Sequence, residues 1–147
     1  MVILDKSNLE KPDSALISAA LEARANAFAP YSKFKVGAAL ATADGKIFRG
    51  CNVESADYTL TSHAEMVAID SMIASGSRGI RTIAIALRCG AGEAVPCGLC
   101  RQKMSEFADS SLRIICVALA TDDSIHEIRL YSLGEMLPYS FSSKNLE

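Results

Sequence analysis

Two short stretches hold the residue types from which a hydrolytic site is built: His63-Ala64-Glu65 and, further along, Pro96-Cys97-Gly98-Leu99-Cys100. One imidazole and two thiolates suit a borderline-soft, tetrahedral zinc ion. Three protein donors leave the fourth position to water, as in a catalytic site. Such an ion lowers the pKa of that water from about 15.7 toward about 7. Glu65 sits two residues beyond the donor His63. Residues two apart do not share a face along a helix, yet in its first turn both can address one site. The carboxylate is therefore placed as a proton shuttle beside the metal and not as its fourth ligand. Pro96 restricts the backbone approaching Cys97, and Gly98 leaves the chain room to bend round an ion.

Each piece also has a plainer reading. Ser62-His63-Ala64-Glu65 fits a capping box, in which Ser62 and Glu65 satisfy each other's backbone N–H groups. Cys97 and Cys100 alone fit a thioredoxin-like redox pair or half of a structural zinc site. The redox reading leaves His63 and Glu65 unexplained. A structural site needs a fourth protein ligand, for which Cys89 is the only candidate nearby in sequence. The conjunction of H-x-E with a later P-C-x-x-C is the mark of zinc nucleoside and nucleobase deaminases.

The elements that must position these residues follow from apolar spacing. Pro12-Asp13-Ser14 starts a helix over 13–29, with Leu16, Ile17, Ala20, Leu21, Ala27 and Phe28 on one face and Pro30 closing it. Residues 36–41 and 46–49, joined by the turn Asp44-Gly45, read as a hairpin. The small residues of its first arm call for something packed closely over them. A second helix over 62–75 is apolar on most sides and so buried on most sides. The runs 80–87 and 112–119 suit central strands, with a third helix over 98–108 between them. A fifth strand over 125–130 and a short helix over 133–137 complete the chain. Both chemical triads thus fall at helix starts, where unpaired N–H groups and the positive dipole end favour thiolate over thiol. The order predicts an α/β fold of three layers, α-β-α, around a five-stranded mixed sheet.

Bulk properties bound the partners. At 147 residues, half of them hydrophobic, the chain is expected to be one domain over 1–147 whose core needs no disulfide staples. Fifteen basic against seventeen acidic side chains give a net charge of −2, which argues against a broad phosphate-binding surface and so against nucleic acid. No apolar run is long enough for a membrane span. Met1-Val2-Ile3-Leu4-Asp5-Lys6 turns charged too early for a signal peptide, so a cytoplasmic protein is expected. The five cysteines, an odd number, favour metal ligation over a disulfide framework, with Cys51, Cys89 and Cys116 expected as buried thiols.

From about Tyr31 to Leu146 the chain resembles the cytidine deaminase family. The resemblance is carried by Tyr31-Ser32-Lys33-Phe34-Lys35-Val36-Gly37-Ala38-Ala39-Leu40, by Gly50-Cys51-Asn52-Val53-Glu54-Ser55, and by Pro96-Cys97-Gly98-Leu99-Cys100-Arg101-Gln102. The tail Glu135-Met136-Leu137-Pro138-Tyr139-Ser140-Phe141 is similar too. It implies one zinc per subunit on His63, Cys97 and Cys100, with Glu65 moving protons. Phe34 would stack against the pyrimidine, and Asn52 with Glu54 would hold the ribose hydroxyls, a contact that rejects compounds lacking them. The backbone N–H of Ala64 would hold the base O2. Phe141 would reach into a neighbour's site in a homotetramer, the assembly usual for members this short, with a homodimer as the alternative. Arg101 is expected to hydrogen-bond toward a ligand sulfur or a carboxylate.

The first zinc block departs from the short members' Cys-Ala-Glu-Arg. With His63 in place of a thiolate the site is less negative, and Met66 can stand as an apolar filler where an arginine would offset charge. Asp57 is also unusual, in a stretch that relatives keep apolar or small. The implied reaction is hydrolytic deamination of cytidine or deoxycytidine to the uracil nucleoside and ammonia, a step of pyrimidine salvage. The alternatives are a modified cytosine nucleoside, a nucleoside antibiotic of the blasticidin type, or a non-enzymatic nucleoside-binding relic. Glu65 argues against the last, and the acidic balance with the sugar block argues against a tRNA adenine deaminase.

Overall fold

The computed structural model describes residues 1–90 and 92–146. In chain order they form β1 (Val2–Ile3), α1 (Lys11–Ala25), β2 (Val36–Ala41), β3 (Ile47–Cys51), α2 (Ala64–Ala74), β4 (Thr82–Arg88), α3 (Gly98–Ser105), β5 (Arg113–Leu119), β6 (Ile125–Ser132) and α4 (Leu133–Met136). The strands make one sheet in the order β1-β6-β5-β4-β2-β3. Only β4 and β5 run parallel, joined by the crossover through α3.

Those two central strands are covered on both faces, which is why they read as continuous apolar runs. Period-two alternation divides them between two cores. Ile83, Ile85, Leu87, Ile114 and Cys116 face α2, α3 and α4, meeting Ala68, Ile69, Met72 and Met104. Ala84, Ala86, Ile115 and Val117 face α1, meeting Leu16, Ile17 and Ala20. The expected three layers result.

Two glycines set how closely the helices approach. A Cβ on Gly37 would lie 2.1 Å from Ala20 O of α1, and one on Gly50 would lie 2.3 Å from Ala64 O of α2. A glycine in each hairpin arm therefore admits helix backbone directly onto the sheet. α1 is also fastened at its first turn, where Asp13 accepts both guanidinium arms of Arg113 at 2.9 and 2.7 Å.

The sheet has six strands and not five. The extra one, β1, pairs Val2 with Leu130 and Ile3 with Arg129, and a two-residue strand is too short to show alternation. α1 stops at Ala25 and not at 29, because Phe28 is drawn to the sheet edge: its N–H donates to Asn52 O at 3.0 Å, and its carbonyl accepts from Glu54 N at 2.9 Å. α3 ends at Ser105, three residues early. Among the described residues no helix is long and apolar enough to cross a membrane.

Register places the site. Val36 lies opposite Leu87, and Gly37 opposite both Ala86 and Cys51, so the start of β2, the end of β3 and the end of β4 share one end of the sheet. The first turns of α2 and α3 are brought to that same end.

Candidate active site

Both helices begin at a metal-donor residue. His63 is the N-cap of α2 and Cys97 the N-cap of α3, and neither side chain caps its own helix. The capping-box reading of Ser62 and Glu65 is thus not realised. Glu65 turns into a cavity, and His63 is left to face the thiols.

His63 Nδ1 lies 3.3 Å from the Sγ of Cys97 and 3.3 Å from that of Cys100, and the three donor atoms fall within 4.8 Å of one another. Bond lengths of about 2.1 Å to nitrogen and 2.3 Å to sulfur at a tetrahedral angle put such donors about 3.6 Å apart. The two nitrogen–sulfur separations match those around a zinc ion within a few tenths of an ångström, so the donor set fits that metal. Cys89, the candidate fourth ligand, is not part of this grouping.

Burial pushes the Cys100 thiol far up, with the nearby Glu65 and Cys97 charges adding to it. Burial likewise pushes the Glu65 carboxyl above its ordinary range, against its own backbone N–H and the Cys100 thiol, which pull it down. A dication among these donors reverses the balance for the thiols, since its charge favours thiolate.

The cavity measures about 490 Å³. His63, Ala64, Glu65 and Cys97 form the chemical side, and Phe34, Val36, Leu87 and Val95 the apolar walls. Glu65 is buried to 5 % exposure at its edge. Ala64, also fully buried, is the first residue of α2, so its N–H belongs to the turn that a helix leaves unpaired.

Asn52 and Glu54 line the same cavity and are already partly engaged. Asn52 Oδ1 accepts from Val36 N at 2.8 Å, and its Nδ2 donates to Phe34 O at 2.8 Å. Glu54 accepts from Tyr31 N at 2.9 Å, from Ser32 N at 3.1 Å and from the Ser32 hydroxyl. These two side chains therefore shape the loop that carries Phe34 as well as facing the cavity. The Ser32 hydroxyl, first among the causes, holds Glu54 below the usual carboxylate range.

Two expectations are corrected. Arg101 donates to two backbone carbonyls, Pro96 O at 2.8 Å and Met136 O at 3.0 Å, and not to a sulfur or carboxylate. The helix turns its side chain back over the bend that enters Cys97, and those carbonyls are the acceptors within reach. The unusual Asp57 caps the turn Tyr58–Leu60 by accepting from Thr59 N at 3.1 Å. Of the three remaining thiols only Cys116 is fully buried, Cys51 and Cys89 being half-buried.

Phe141 lies outside the cavity of its own chain, exposed, with its carbonyl accepting from Gln102 Nε2 at 2.7 Å. Met66 packs half-buried against the core, as a filler should. Ser32, Thr61, Glu93 and Val95 line the cavity without having been singled out from sequence. Glu93 is held by Arg129 and by the Tyr131 hydroxyl at 3.2 Å, partners remote in sequence that no local motif reveals.

An α-β-α sheet that gathers one imidazole, two thiols and a buried carboxyl at two helix starts defines a zinc hydrolase. The chain belongs to the cytidine and deoxycytidylate deaminase family, whose zinc-binding region matches residues 10–117. It is 37 % identical over 131 residues to a cytidine deaminase of Sporosarcina psychrophila, covering 89 % of this chain and 92 % of that one. It is 39 % identical over 132 residues to one of Halalkalibacterium halodurans, covering 89 % and 95 %. The crystal structure of cytidine deaminase from Burkholderia pseudomallei superposes with a TM-score of 0.79 at 44 % identity, over 87 % of this chain and 98 % of that one.

Proposed function

We propose that this protein deaminates cytidine and deoxycytidine by hydrolysis, with zinc on His63, Cys97 and Cys100 and Glu65 as the proton carrier. The observation that carries the reading is the buried Glu65 carboxyl, beside the three donors and on the same cavity as Phe34, Asn52 and Glu54. When bound, zinc supplies a water acidic enough to react at neutral pH. Glu65 would take up the proton given by the attacking water and deliver it to N3 of the ring. It then carries the second proton to the departing amino group, so that ammonia leaves a uracil ring. A carboxyl whose burial raises its affinity for protons suits both halves of that relay.

The other contacts follow from hydrogen-bonding capacity. The Ala64 N–H meets the base O2, and the Phe34 ring packs on the base. Asn52 retains one amide N–H, and Glu54 about one of its roughly four acceptor sites, for the sugar hydroxyls. None of the described residues lining the cavity is Lys or Arg, which favours a nucleoside over its phosphate.

Exposed Phe28, Tyr31, Val53, Tyr58 and Leu60, with Tyr31 and Tyr58 edge to face at 6.1 Å, are apolar surface suited to cover by further copies. This supports a homotetramer in which Phe141 completes a neighbour's site; the mass in solution tests it. Thiols that must stay reduced to hold metal support a cytoplasmic setting. For the reaction, Glu65→Gln should keep about one zinc per chain while uridine formation falls by several orders of magnitude. Near-normal turnover by that variant would remove Glu65 from the mechanism.

A further inference from the structure

A second cleft, of about 500 Å³, adjoins the reaction cavity and shares one lining residue with it, Phe34. The two carry opposite charge. Glu54, Glu65 and Glu93 line the first, whereas Arg24, Lys33, Lys35 and Arg88 line the second against one acid, Asp123. Four cations and one carboxylate leave an excess of three positive charges, in a chain whose net charge is −2.

Asp123 gathers these charges more than it neutralises them. Its Oδ1 accepts from Arg24 Nη2 at 2.9 Å and from Arg88 Nη2 at 3.0 Å, so two guanidinium groups converge on one oxygen. Arg24 is tied further by its Nε, which donates to Lys35 O at 3.1 Å, and its side chain is only 12 % exposed. It cannot swing out to relieve the repulsion.

The backbone is bent here as well. Lys33, with φ 58°, and Asp123, with φ 63°, are the non-glycine residues at positive φ in the described chain, and both line this cleft. That conformation is unfavourable for a lysine, and such outliers cluster where ligands are held. Arg24 and Arg88, held together on one carboxylate with Lys33 and Lys35 lining the same cleft, lower their energy by taking up a further anion, even with Glu54 near Lys33 and Asp122 near Arg88. Guanidinium groups present paired donors that match the oxygens of a phosphate.

We propose that this cleft binds the phosphate group of a small molecule, any attached ring resting on the side of Phe34 away from the reaction cavity. The site stands on its own charges and geometry and does not depend on which substrate is deaminated. Its occupant would nonetheless touch the ring against which the substrate base packs.

Calorimetric titration of the zinc-loaded protein with inorganic phosphate, and separately with uridine 5′-monophosphate, tests the proposal. Lys33→Asn removes the charge while tolerating the left-handed backbone. Arg88→Gln removes a second cation, and Lys46→Gln, at the opposite end of β2, is the control. Saturable binding should weaken at least tenfold in each of the first two variants, stay within twofold in the control, and fall with added salt. Tighter binding of the nucleotide identifies a phosphate ester whose ring uses Phe34; equal binding identifies free phosphate. No saturable binding at millimolar concentration overturns the site, as does affinity unchanged in Lys33→Asn and Arg88→Gln. An equal loss in Lys46→Gln overturns it too.

Discussion

Gly50 offers a perturbation of one methyl group whose effect on the chemistry can be worked from the backbone. Its added Cβ would meet Ala64 O at 2.3 Å, Ala68 N at 2.4 Å and the Val67 carbonyl carbon at 3.0 Å, whereas ordinary contact begins at 3.4 Å. All three are helix backbone, so no side chain can step aside. In Gly50→Ala the first turns of α2 must retreat from β3 by about 1 Å, carrying His63 and Glu65 with them. A misplacement of that size at a reacting centre costs about a hundredfold in rate. Overpacking of this kind destabilises by about 1–3 kcal/mol, offset by about 0.4–1 kcal/mol because alanine restricts the unfolded chain. The assay is the absorbance change as cytidine becomes uridine, with zinc content and the urea midpoint measured on the same sample. Gly37→Ala is the matched comparison: it clashes as severely, 2.1 Å from Ala20 O, but against α1, which carries no donor. Both variants should lose stability, and Gly50→Ala should lose far more kcat/KM. A folded Gly50→Ala with turnover within twofold of normal refutes the reasoning, as does an equal loss of activity in Gly37→Ala.

Asp13→Ala should lower the unfolding free energy obtained from urea titration by about 2 kcal/mol, less than a fully buried pair, because the Arg113 side chain is 40 % exposed and water replaces part of what it loses. Turnover should be unchanged, since Asp13 lies at the far end of the sheet from the cavity. Arg101→Ala frees the carbonyls of Pro96 and Met136, so chelator competition should show zinc held about 10–100-fold more weakly, with activity per bound zinc nearly kept. Burial pushes the Cys116 thiol up to about 12, so at pH 8 only about one molecule in ten thousand carries the reactive thiolate. Mass spectrometry after alkylation should find Cys116 unmodified in the folded protein and modified in urea; equal labelling in both would contradict its burial.

What was legible in the sequence is what short-range chemistry encodes. The donors declare themselves because imidazole and thiols at helix starts have few other reasons to share a pattern, and the central strands because two-sided burial leaves an unbroken apolar run. The ends of elements were read less well where a distant partner decides them. Phe28 continues the helical spacing of α1 but leaves it for hydrogen bonds with the chain around Val53. β1 exists only because β6 offers an edge. Arg101 illustrates the same limit within the site. Its position beside the cysteines was visible, but its acceptors are main-chain carbonyls, which no residue type advertises. Glu93 was invisible for a related reason: its partners Arg129 and Tyr131 come from the far side of the sheet order.

The hairpin tip between β2 and β3 lies at the end of the sheet remote from the two helix starts. Residues 43–46 there are exposed, and Gly45 has nothing within 4 Å of where a side chain would begin. A peptide grafted at that loop, whether a purification tag or a reporter, is thereby attached at the opposite end of the sheet from the reacting atoms. The molecule has a working end and a handle.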